Sequence, residues 1–73
     1  MIPYAALIYD KNKIRIINSI TGAVITTIST GREIIGQPMV NADKLFVTVK
    51  NGASQRIIVY NLPSGQIHTS INS

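Results

Sequence analysis

Two stretches, "NSITGAVITTI" at residues 18–28 and "NLPSGQIHTSI" at residues 61–71, are two versions of one pattern. They lie 43 positions apart, and that single shift lays Gly22 on Gly65, Val24 on Ile67, Thr26 on Thr69 and Ile28 on Ile71. In each, a Gly stands before a run rich in β-branched residues, and Gly takes the positive φ that tight hairpins require. Each stretch therefore reads as a turn with the strand that follows it. The repeat organises the rest of the chain.

Working outward from these hairpins, no segment shows a 3.6-residue apolar stripe, while β-branched residues alternate with turn residues from end to end. The fold class is all-β. Strands are predicted at Ala5–Tyr9, Ile14–Ile20, Ala23–Ser29, Ile35–Val40, Lys44–Lys50, Arg56–Leu62 and Gln66–Ile71. Thr21-Gly22, Asn41-Ala42-Asp43, Asn51-Gly52-Ala53-Ser54 and Pro63-Ser64-Gly65 supply the turn chemistry between them. Such short links join antiparallel neighbours, so these seven strands read as a meander in one small domain, with repeat one over about residues 4–30 and repeat two over about residues 34–73.

The faces of these strands carry more information than their number. In "RIIVYNL" Ile58, Tyr60 and Leu62 point one way and Ile57 and Val59 the other. "KLFVTVK" sets Leu45, Val47 and Val49 against Phe46, and "IRIINSI" sets Ile14 and Ile16 against Ile17. A solvated antiparallel sheet alternates apolar with polar residues, whereas a strand apolar on both sides expects cover on both.

Composition points the same way. A chain of 73 residues buries a modest share of its surface, and without cysteine it has neither a disulfide nor a thiolate metal site to staple it. Only 14% of its residues are charged, against roughly 25% in an ordinary soluble domain. Oligomerisation or a partner is the remaining remedy. The net charge of +4 and pI of about 9.9 would draw anionic surfaces, yet Lys11, Lys13, Arg15, Arg32, Lys44, Lys50 and Arg56 are scattered, so nucleic acid is not the favoured partner. The opening MIPYAALIYDKNK has neither a basic n-region nor a long apolar run, so no signal peptide and no membrane span are expected. A cytoplasmic location, or one within a viral particle, is the corresponding expectation.

"GQPMV", "DKLFVTV" and "RIIVYNLPSGQI", followed by a short last strand, resemble a blade of the quinoprotein-like and YncE-like β-propellers. In those blades a "D-x-L-Y-V" strand precedes an "I-x-x-Y-D-x-x-T-G-K" hairpin. Asn61 stands here where the family has Asp and Gln66 where it has Lys, and the first copy carries Asn18, Thr21, Gly22 and Ala23 at those places. The resemblance implies about one and three-quarter blades, because Met1-Ile2-Pro3 is too short for an innermost strand. A propeller closes with about 4–8 blades, so repetition would have to continue in other chains. No cofactor-contacting residue of the quinoproteins can be matched, and no cofactor is carried over. A small β-sandwich or barrel is the alternative architecture.

Chemistry-bearing residues are sparse. His68 is the sole histidine, and Asp10, Glu33 and Asp43 are the sole acids, too few and too scattered for a metal site, paired carboxylates or a catalytic triad. "STGREIIGQP" lacks the Lys-[ST] ending of a phosphate loop and reads as the connection between repeats. Lys11, Lys13 and Arg15 read as a solvated strand edge, and Tyr4, Tyr9 and Tyr60 as amphipathic packing at strand interfaces, with the lining of a sugar-binding groove as their alternative. The sequence thus predicts a non-enzymatic structural subunit completed by itself or other protein chains, with a virion or another large complex as its setting. Its expected interface residues are Ile14, Ile16, Ile17, Phe46, Ile57, Ile58, Val59 and Tyr60 on the strands and Arg32 and Glu33 on the connection. An oligomeric propeller lectin that binds glycan is the second expectation.

Overall fold

The structure, a computed structural model, describes residues 3–72, so Met1 and Ile2 of the segment Met1-Ile2-Pro3, read as too short for an innermost strand, and Ser73 at the far end of repeat two lie outside it. Seven antiparallel strands run along the described chain: β1 Tyr4–Asp10, β2 Lys13–Asn18, β3 Val24–Ser29, β4 Ile34–Asn41, β5 Lys44–Asn51, β6 Ser54–Asn61 and β7 Ile67–Asn72. The ends agree with the sequence reading to within two residues. Hydrogen bonding groups them into two meanders, a three-stranded sheet β1-β2-β3 and a four-stranded sheet β4-β5-β6-β7.

The hairpins β2–β3 and β6–β7 close in the same way. Asn18 N donates to Ala23 O at 2.9 Å and Gly22 N to Asn18 O at 2.7 Å, while Asn61 N donates to Gln66 O at 2.7 Å and Gly65 N to Asn61 O at 2.8 Å. Thr21 Oγ1 accepts from Ala23 N, and Ser64 Oγ accepts from Gln66 N. Gly22 and Gly65 have φ of 77° and 79°, which Gly alone adopts freely. A bulge follows at matching places, with Ile25 the extra residue in β3 and His68 in β7.

The sheets stack face to face. Alternation along β2 turns Ile14 and Ile16 inward, where with Ile28 they meet Leu45, Val47 and Val49 of β5 and Ile58 and Tyr60 of β6, together with Leu62 just beyond that strand. Tyr4, Ala6, Ile25, Ile34 and Val40 pack around this cluster. Burying a side chain of this kind stabilises by about 1.5–3 kcal/mol, so the nine residues of the cluster account for much of the reason the sheets stay together.

The connection Thr30–Glu33 fixes how the sheets meet. Thr30 N donates to Asn12 O and Ile34 N to Lys11 O, both at 2.8 Å, and Lys50 N donates to Glu33 O at 2.9 Å. The link is thereby bonded to the β1–β2 turn on one side and to β5 on the other. One expectation needs correction: β2 lies in the middle of its sheet, so Lys13 and Arg15 do not guard a strand edge. Arg15 instead reaches across the outer face and sets its guanidinium 4.4 Å from the centre of the Tyr9 ring.

Candidate protein interface

With the inner faces packed together, the outer faces hold what the chain presents to its surroundings. On the four-stranded sheet the register brings Met39, Phe46, Val59 and Thr69 into one row across β4 to β7. Ile35, Thr48, Ile57 and Ile71 form the next. No charged residue interrupts either row. Met39 is 59% exposed and Ile71 54%, Phe46 and Ile57 are half-buried, and Val59 is buried at 4% by its flanking neighbours.

On the three-stranded sheet the outer face is smaller and more mixed. Ala5, Ile17 and Val24 form one row and Leu7, Arg15 and Thr27 the next, with Tyr9 beside them. Leu7, Tyr9 and Val24 are exposed and Ile17 is half-buried.

The residues expected at an interface therefore divide. Ile14, Ile16, Ile58 and Tyr60 are engaged inside the chain, between its own sheets. Ile17, Phe46, Ile57 and Val59 lie on the outer faces, and Arg32 and Glu33 are exposed on the connection, where Lys50 Nζ lies 3.5 Å from Glu33 Oε2. The sequence pattern does not mark Met39, Leu7 and Val24 as interface residues. Only the pairing register, which sets Met39 opposite Phe46 and Val24 opposite Ile17, reveals their place on these faces.

No protein-family model, curated protein or solved structure matches this chain. The geometry of the faces is accordingly the basis for a functional reading.

Electrostatics add little to these faces. Lys44 lies 3.1 Å from Asp43 and, by hydrogen bond and charge, holds its exposed carboxyl below the usual 3.8. Burial pushes the Tyr60 hydroxyl above its usual 10.0. The described residues enclose no pocket, gather no group of three metal-ligating side chains, and contain no helix long and apolar enough to cross a membrane. His68 is exposed on β7, and Asp10 is occupied locally, its Oδ1 accepting from Lys11 N at 2.7 Å.

Proposed function

We propose that this chain is a non-enzymatic structural subunit whose outer sheet faces and free strand edges are covered by other protein chains. The observation that carries this reading is the pair of uncharged rows across the outer face of β4–β7. A solvated antiparallel sheet alternates apolar and polar residues, and a monomer seldom leaves a contiguous apolar patch open to water. Burial of that face supplies affinity, and unpaired main-chain groups along the edge strands β1, β3, β4 and β7 supply register when a neighbouring strand joins them.

Each meander is read as a β-propeller blade or most of one, completed within an oligomer or a larger complex such as a virion, for which a cysteine-free and charge-poor sequence is suited. A glycan site between blades has less support, since Tyr60 is buried and Tyr4 packs against the core. The deciding experiment is the mass of the purified chain by light scattering after size exclusion, over a tenfold dilution. A discrete multiple of 7.9 kDa, or material that folds only with a partner, is the expected result. A stable, well-folded monomer at every concentration sinks the reading.

A further inference from the structure

The two sheets can be superimposed residue by residue through their pairings. Ala6↔Ile16 corresponds to Phe46↔Val59, and Ile8↔Ile14 to Thr48↔Ile57. On the other hairpin, Ile16↔Thr26 corresponds to Val59↔Thr69 and Ile14↔Ile28 to Ile57↔Ile71. Equivalent residues nevertheless face opposite ways. Ile14, Ile16 and Ile28 point into the core, whereas their counterparts Ile57, Val59 and Ile71 lie on the outer face of the four-stranded sheet. The converse holds for Ile17 and Val24, which face outward while their counterparts Tyr60 and Ile67 lie on the core side of their sheet.

The packing inside the chain is therefore heterologous: one face of the repeat in the first sheet meets the opposite face of the repeat in the second. Resting on the assembly reading above, we propose that a second copy of this chain continues this stack head to tail. Its outer β1–β3 face docks on the outer β4–β7 face of the first copy. The occupant follows from continuity with the internal interface, because the uncovered face of β4–β7 is the counterpart of the face that the three-stranded sheet already buries. A detail at the turns agrees. A side chain at Gly65 would sit 3.4 Å from Ile28 and 3.7 Å from Thr26, yet its counterpart Gly22 has nothing within 4 Å. In the stack, Gly22 of one copy comes against Ile71 and Thr69 of the next, the counterparts of Ile28 and Thr26. Heterologous contacts close into rings or run on as fibres. With two sheets per copy, two to four copies supply the roughly 4–8 blades of a closed ring.

The test uses one lesion per face, at positions more than half exposed in the single chain: Ile71→Asp on β7 and Val24→Asp on β3. The wild type is expected as a multiple of 7.9 kDa, each variant alone as a monomer, and their equimolar mixture as a 1:1 heterodimer that grows no further. A variant unfolded alone that folds on mixing supports the stack equally. The chain has no cysteine, so a second measurement is clean: Ala23→Cys mixed with Ile71→Cys should form the mixed disulfide several-fold over either homodimer. A wild type that assembles while the variants fail to complement, or while one variant keeps the wild-type mass, overturns the head-to-tail stack and leaves the assembly reading standing. A wild type that stays unfolded until another protein is added also overturns the stack alone. A folded wild-type monomer overturns both.

Discussion

The three-stranded sheet contributes Ile14, Ile16 and Ile28 to the core, whereas the four-stranded sheet contributes Leu45, Val47, Val49, Ile58 and Tyr60, with Leu62 at its margin, and also buries Val59 on its far side. Both sheets have an apolar residue in the middle of the outer face, Ile17 on β2 and Val59 on β6, and only the second is buried. The reason is lateral. Val59 and Ile17 each have one exposed neighbour, Thr69 and Val24, but on the other side Val59 has Phe46 where Ile17 has only Ala5. Cover on a sheet face thus depends on the width of the sheet and the size of the flanking side chains, so burial alone does not show where a partner sits.

The sharpest way to break this contrast is to cut into the smaller share of the core. Ile16→Ala removes one of the two fully buried side chains, Ile14 and Ile16, among the described residues of that sheet, and should lower stability by about 2–5 kcal/mol, read from urea unfolding. Against total stabilities of about 5–15 kcal/mol, such a loss can unfold a small domain. A loss under about 1 kcal/mol would mean that the three-stranded sheet does not depend on the other.

The outer faces can be compared directly. Val59→Ala is expected to cost about 1–2.5 kcal/mol, because a cavity opens beside Phe46, and Ile17→Ala about 1 kcal/mol or less in the isolated chain. Equal costs, measured by unfolding at a concentration where the chain is monomeric, would refute the account of lateral cover.

A third test lies within the larger sheet. Its two-residue turns are alike: Gly52 follows Asn51 with φ 64°, and Ala42 follows Asn41 with φ 55°. An L-residue in the left-handed region costs roughly 1–2 kcal/mol, partly offset in a Gly variant by greater unfolded-chain entropy. Ala42→Gly should therefore raise stability by about 0.5–1 kcal/mol, and a lower melting temperature would contradict the comparison of the turns.

The smallest effect concerns pH. Because burial raises the Tyr60 ionisation above 10.0, stability is intact below pH 10.0 and falls as the pH rises through the higher folded value. Tyr60→Phe should flatten that alkaline limb while leaving the slope near neutrality unchanged. An unaltered alkaline limb in the variant would assign it to other groups.

Much of the fold is legible from local signals. Asn18 and Asn61 close their turns with the same bonds because Gly four positions on and a hydroxyl three positions on, Thr21 or Ser64, recur at both sites. The edge reading of Lys13 and Arg15 fails because strand order is a matter of pairing partners, which a basic residue on β2 does not reveal. Met39 is invisible as an interface residue in the sequence because its place beside Phe46 follows from a register that shifts at the irregularity between Ile35 and Met39.

The sequence settles the set of strands, the hairpins between them and the antiparallel order of neighbours, since period-two alternation and turn chemistry act over a few residues. Which face of each sheet became the core it could not determine, because Ile57 and Val59 are as apolar as Ile58 and Tyr60. Only the stacking decided it. The two sheets pack head to tail and not about a two-fold axis, so the face that Ile14 and Ile16 bury in the first sheet is the one that Ile57 and Val59 turn outward in the second.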